Sequence, residues 1–197
     1  MSVKVILASG SPRRRELMEL MGIPFETDVS DADEDIDKEM PPERYVGELS
    51  RRKAKAVEAR HEKDIIIGAD TIVVMDGTVL GKPKDKDDAL RMLHMLAGRT
   101  HSVYTGVTIS YTKGIADRAE ESFHVRTDVT MYPANEMLLE AYTESSEPYD
   151  KAGAYGIQGR GALLVERIEG DYYNVMGLPI SGLYRRLINI LSLCEGS

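Results

Sequence analysis

The chain has 197 residues, room for one large domain or two small lobes with an ample core. Apolar residues make up 42% and charged residues 29%, values of an ordinary globular enzyme, and the net charge of -8 lacks the basic surplus of proteins that grip DNA or RNA along the backbone. No apolar run approaches the ~20 residues of a membrane helix, the opening MSVKVILASG lacks the pattern of a signal peptide, and the lone Cys194 cannot form an internal disulfide, so the expectation is a cytoplasmic protein that binds neither membrane nor nucleic acid.

In chain order, the apolar, β-branched run at 3–8 predicts a buried strand, which Ser9-Gly10-Ser11-Pro12 breaks. Ser11 suits an N-cap and Pro12 the first turn of a helix whose apolar side is Leu17, Met18, Leu20 and Met21 and which Gly22 ends. Residues 25–29 predict a second strand. The acidic run at 30–39 (Asp31, Asp33, Glu34, Asp35, Asp37, Glu39) reads as a solvated loop, from which one or two carboxylates could face a metal. A long helix is predicted over 42–61 and a hydrophobic strand over 65–70, followed by 71–75 and an Asp76-Gly77 hairpin turn. A helix over 86–97 turns Ala89, Met92, Leu93 and Leu96 to one side, and Gly98 closes it. Long antiparallel strands are predicted at 103–111 and 122–131, helices at 133–143 and 179–193, and a strand at 162–168. Strands and helices alternate without a strict βαβ rhythm, which predicts a mixed α/β sheet with a cleft, in one domain over 1–197.

Ser9 to Arg15 puts three arginines in the first turn of a helix, whose N-terminus already carries roughly half a positive charge. Either the arginines splay into water or pair with the acidic loop, or a bound polyanion resolves the conflict, since free backbone N–H groups and arginines both take phosphate. No G-x-x-x-x-G-K-[ST] P-loop occurs. On the helix over 42–61 the apolar stripe runs through Val46, Leu49, Ala56 and Val57, and helical spacing places Lys53 on it while Lys55 points to solvent. A lysine on such a stripe either snorkels out or meets an anion.

In Gly68-Ala69-Asp70-Thr71 a carboxylate ends a buried strand. It either bonds its own backbone as a turn residue or binds a metal, a proton or a donor. Gly81-Lys82-Pro83 offers a cation after a tight turn. The segment from Tyr149 to Gly161, rich in glycine, is either a plain flexible loop or a backbone able to press on a flat ligand, with Gln158 able to donate to and accept from a base edge. His61, His94, His101 and His124 show no ligand spacing, and no Ser-His-Asp or Cys-His arrangement is visible. Attack by a metal-activated water is then the simpler scheme.

LASGSPRRREL, KAKAV, GADTIVV, LGKP, YDKAGAYGIQG and GDYYNVMGLP, in that order from about residue 7 to 179, resemble the successive motifs of the Maf family, also called septum formation proteins. The resemblance implies a mixed, twisted α/β sheet flanked by helices, with two lobes and a deep nucleotide-binding cleft. It implies hydrolysis of a nucleoside triphosphate between the α- and β-phosphates with a divalent cation, Mg²⁺ or Mn²⁺. On it, Asp70 is the catalytic carboxylate and a metal ligand, and Ser9, Arg13, Lys53 and Lys82 line the phosphate path. Arg13, Thr71 and Gln158 match the specificity positions of the branch acting on dTTP and UTP. Where the family often has two adjacent glutamates, this chain has Asp33 and Glu34, either of which could assist the metal. A homodimer is a further expectation. The rival class is a nucleotide-binding regulator of cell division with little turnover, and Asp70 argues against it, because a carboxylate beside a tetra-anion gains nothing without a metal.

Overall fold

β1 (Val5–Leu7) is an apolar triplet buried throughout, and it lies between β2 (Glu26–Thr27) and β3 (Ile65–Met75), parallel to both. Parallel neighbours need a crossover. α1 (Pro12–Leu20) connects β1 to β2, and α2 (Pro42–Glu58) connects β2 to β3. The computed structural model describes residues 3–36, 40–113 and 117–195, so Asp37 and Glu39 of the acidic run lie outside the described residues.

α1 starts at Pro12 with Ser11 at its N-cap, as predicted, and Gly22, at φ 67°, follows its end. Its buried side is narrower than expected: Leu17 and Met18 are fully buried, while Leu20 is 66% exposed. α2 buries Tyr45, Val46, Leu49, Ser50, Ala54 and Val57, so Ala54 takes the place in the stripe expected of Ala56.

The strand over 65–70 does not end at Asp70. β3 runs unbroken to Met75, because Thr71, Ile72, Val73 and Val74 are β-branched and because β4 (Thr78–Leu80) folds back on them. The turn is Asp76-Gly77, at φ 49° and 75°, the two positive values that a tight two-residue hairpin requires. What ends near Asp70 is the parallel pairing, whose last partners are Leu7 and Ile67.

α3 (Lys86–Leu96) is capped by the Asp85 side chain, which accepts from the Asp88 N–H. β5 (Thr100–Lys113) and β6 (Asp117–Met131) outrun their predicted bounds. Their side-chain bonds Thr100–Thr130, Ser102–Asp128 and Thr108–Ser122 advance in opposite directions along the two strands, so the pair is antiparallel. α4 (Glu136–Thr143) is capped by Asn135, and 3-10 turns follow at Pro148–Asp150, Ala152–Ala154 and Gly159–Leu164. β7 (Val165–Glu169) pairs antiparallel with β6. The strand predicted from 162 starts three residues late because Leu163 faces water and Leu164 is buried within the last 3-10 turn, a pattern without strand alternation. The short α5 (Tyr172–Met176) was not predicted, and α6 (Ile180–Glu195) matches the last expected helix.

The strands form one mixed seven-stranded sheet in the order β2-β1-β3-β5-β6-β7, with β4 on β3, as the mixed α/β expectation required. The chain divides into two compact units: Met1–Asp70 with Thr105–Val125 and Gly177–Ser197, and Thr71–Tyr104 with Arg126–Met176. β3, β5 and β6 each begin in one unit and end in the other. Ile6, Ala8, Ala54, Val57 and Ile66 form a core cluster in the first unit. The second packs Val73, Met75, Leu80, Leu93, Leu96 and Tyr142 together. No helix among the described residues is long and apolar enough to cross a membrane.

Candidate functional site

α2 lies against β3 with almost no space between them. A Cβ on Gly68 would stand 2.1 Å from the Ser50 carbonyl oxygen and 2.7 Å from the Ala54 nitrogen, so only glycine permits the approach. The same turn of α2 carries Lys53 alongside Asp70. Lys53 Nζ donates to Asp70 Oδ1 at 2.6 Å and lies 3.0 Å from Glu34 Oε1. Asp70 is buried and Lys53 keeps 13% of its side chain exposed, while Glu34 reaches in from water at 63%. The lysine on the buried stripe therefore meets an anion rather than snorkelling, and Lys55 is exposed.

The acidic loop delivers Glu34 by a specific device. Asp33 turns its own carboxylate back to accept from the Asp35 N–H at 2.9 Å, a self-bonded turn. Arg52 Nη1 donates to the carbonyls of Asp33 and Asp35, each at 3.2 Å, on either side of Glu34. Of the two carboxylates weighed from sequence, Glu34 is the one brought to Lys53.

Ser9 follows β1 and is buried; its Oγ accepts from the Ser11 N–H at 3.2 Å and from Arg14 Nη1 at 3.3 Å. Arg14 Nε donates to the Gly177 carbonyl at 2.9 Å. Burial pushes the Arg14 guanidinium below its ordinary value, Asp70 and Glu34 pull it back up, and neighbouring Arg13 pushes it down. Arg14 thus shares the electrostatic neighbourhood of Asp70. Arg15 points out to pair with Glu19, and Arg13 is half-buried. Sequence reasoning singled out Arg13 and passed over Arg14, although helical spacing sets Arg14 one turn before the buried Leu17 and Met18. Tyr45 was also missed. Burial holds its hydroxyl's pKa above the ordinary value, and the charges of Asp70, Glu34 and Asp35 push the same way.

Ser9, Arg14, Lys53, Asp70 and Glu34 all belong to the first unit. Thr71 follows Asp70 directly and opens the second unit, which also holds Lys82 and Gln158, both exposed. The Gly153 N–H donates to the Gly81 carbonyl at 3.0 Å, tying the turn before Lys82 to the glycine segment that carries Gln158. That segment is built of 3-10 turns rather than being a plain flexible loop.

His61 sits between Asp28 and Asp64, His94 pairs with Glu136, and His101 bonds Tyr155. Among the described residues no group of three or more His, Cys, Asp or Glu could hold a metal ion. Asp70 and Glu34 nevertheless share one cation, the Lys53 ammonium. A pair of hard oxygen ligands fits Mg²⁺ or Mn²⁺ arriving with a triphosphate, since Mg²⁺ is usually held by one or two carboxylates plus substrate phosphates.

A family model described as Maf-like protein matches residues 4–190. A dTTP/UTP pyrophosphatase of Bacillus anthracis is 50% identical over 184 residues, which cover 93% of this chain and 94% of that protein. Proteins of the same description from Bacillus cytotoxicus and Bacillus cereus are 49% and 48% identical over the same share of each chain.

Proposed function

This chain belongs to the Maf-like protein family, and from that membership we propose that it is a nucleoside triphosphate pyrophosphatase that cleaves dTTP and UTP to the monophosphate and pyrophosphate. The observation that carries the reading is the Lys53–Asp70–Glu34 cluster beside Ser9 and Arg14, at the point where the parallel pairing of β1 and β3 ends. Ligand sites in sheets of this kind favour the carboxyl ends of parallel strands.

Asp70 accepts a proton from the water that attacks the α-phosphorus. The bond from that phosphorus to the bridging oxygen breaks, and the electron pair leaves with pyrophosphate. Lys53 fixes the Asp70 carboxylate through Oδ1 and, with Arg13 and Lys82, neutralises charge on the departing group. Ser9 lines the phosphate path, and Thr71 and Gln158 meet the nucleoside. A divalent cation, Mg²⁺ or Mn²⁺, held by Asp70 and Glu34 together with the triphosphate, supplies further charge neutralisation. Positioning and electrostatic stabilisation account for most of the catalysis in phosphoryl transfer. The protein acts on nucleotide pools in the cytoplasm, as a homodimer, without a nucleic-acid partner.

The test is a panel of dTTP, UTP, CTP, ATP and GTP with Mg²⁺ or Mn²⁺ and after chelation, assaying pyrophosphate and monophosphate. Release of both products from dTTP and UTP, lost on chelation and restored by either metal, is expected. Tight nucleotide binding without products would replace the enzyme with a regulator, and release of inorganic phosphate would move the cleaved bond.

A further inference from the structure

Gln158 is exposed, yet the backbone on both sides of it is fixed by one carboxylate and one phenol that the mechanism above does not use. Glu147 Oε1 accepts from the Gly161 N–H at 3.0 Å and from the Tyr142 hydroxyl at 3.1 Å, and Oε2 accepts from the Arg160 N–H at 3.1 Å. The Tyr142 oxygen in turn accepts from the Gly156 N–H at 3.2 Å. The segment from 156 to 161 is therefore held at both ends, with Gln158 between the two grips. Tyr142 is fully buried in the core of its unit, so the grip is anchored to packed structure.

Two glycines show how closely the segment closes on this clamp. A Cβ on Gly159, whose φ is +64°, would stand 2.8 Å from Glu147 Oε2. One on Gly161 would stand 2.2 Å from the Gly156 carbonyl oxygen and 2.8 Å from the Tyr142 hydroxyl. Backbone N–H groups that converge on a carboxylate give charge-assisted bonds, roughly twice as strong as neutral ones. A backbone held between such points has little freedom left to lose when the side chain it carries meets a ligand.

We propose that Glu147, acting with Tyr142, is the positioning residue of substrate selection: it fixes the backbone from 156 to 161 and so aims Gln158 at the base. The proposal rests on the base-reading role given to Gln158 above. Glu147→Gln sets an amide where two backbone donors and a hydroxyl need an acceptor. Tyr142→Phe keeps the packing and removes only the bridge to Gly156, and so serves if the first variant folds poorly.

The test combines amide hydrogen exchange with kcat/KM for dTTP, UTP, ATP and GTP. In Glu147→Gln, whose amide keeps one acceptor oxygen and turns an NH₂ to the other position, either the Arg160 or the Gly161 amide should exchange roughly tenfold faster, and in Tyr142→Phe the Gly156 amide should, the loss of one such bond. In both, the preference for pyrimidine over purine should fall towards that of Gln158→Ala, through KM more than kcat. Adding either change to Gln158→Ala should alter the preference no further, as coupled residues behave. Unaltered exchange, or faster exchange with the wild-type preference intact, overturns the proposal alone. A Gln158→Ala enzyme with the wild-type preference overturns the base-reading role and this proposal with it.

Discussion

Replacing Lys53 with alanine removes the cation that lies 2.6 Å from Asp70 and 3.0 Å from Glu34. With 13% of the Lys53 side chain and 11% of the Asp70 side chain exposed, the pair falls between two known cases. A surface ion pair contributes ~0–1 kcal/mol, and breaking a fully buried one costs ~3–5 kcal/mol. A loss of about 2 kcal/mol follows, or a fall in Tm of roughly 4–8 °C for a chain of this size. Turnover should drop more steeply, by on the order of 10²–10³, the usual effect of deleting one group that stabilises developing charge. Lys55→Ala, two residues away and exposed, should change stability by less than about 0.5 kcal/mol and leave turnover near normal. A double variant, Lys53→Ala with Asp70→Asn, should recover most of the lost stability, because no uncompensated carboxylate remains at 70. Calorimetry and pyrophosphate release measure both quantities. A Lys53→Ala protein that melts with the wild type, or a Lys55→Ala enzyme equally impaired, would refute the reasoning.

Asp70→Asn should keep the fold and abolish turnover, since the amide can neither accept the proton nor bind metal well; near-normal pyrophosphate release would remove Asp70 from the mechanism. Gln158→Ala should flatten the preference for dTTP and UTP over ATP and GTP, at a cost of ~1–3 kcal/mol if a buried partner is left unpaired. Arg13→Ala should lower all four kcat/KM values more evenly, and an even loss in Gln158→Ala would leave the pyrimidine assignment resting on family membership. His101 supplies a pH prediction. Burial lowers its imidazole to about 4, with Asp128 pulling the other way. The unfolded chain takes up a proton near the ordinary 6.5 and the native protein does so only near 4, so this group makes stability fall as pH drops through that window. From pH 6.5 to 4.5 its share is about 2 kcal/mol. His101→Gln should lack that share, read as the difference in urea midpoints at the two values; equal slopes in both proteins would contradict it.

Lys53 was legible because helical spacing alone sets it on the buried stripe of α2, and Asp76-Gly77 because few other dipeptides accept two positive φ values. Asp70 stands out in the sequence for a partly mistaken reason. An acidic residue in an apolar run reads as a strand end, whereas β3 continues and only its pairing with β1 stops. The choice between Asp33 and Glu34 could not be read from composition. It depends on a self-bonded turn at Asp33 and on Arg52, which arrives from α2. Arg14 looks like its two neighbours until its bonds to Ser9 and to the Gly177 carbonyl separate them. Nothing local marks Glu147, because its partners are backbone N–H groups that carry no sequence signature.

The partition of the chain bears on how it is made. Residues 3–70 leave the ribosome before 105–125 and α6, which the unit to which they belong also needs. Domains commonly fold in the order in which they emerge. Here the earlier-born unit is the one that finishes last, while the other, complete at Met176, has all its residues sooner. Until α6 leaves the exit tunnel, the apolar strands β1 and β3 belong to an unfinished body, and truncation anywhere before Ile180 would leave it unfinished for good.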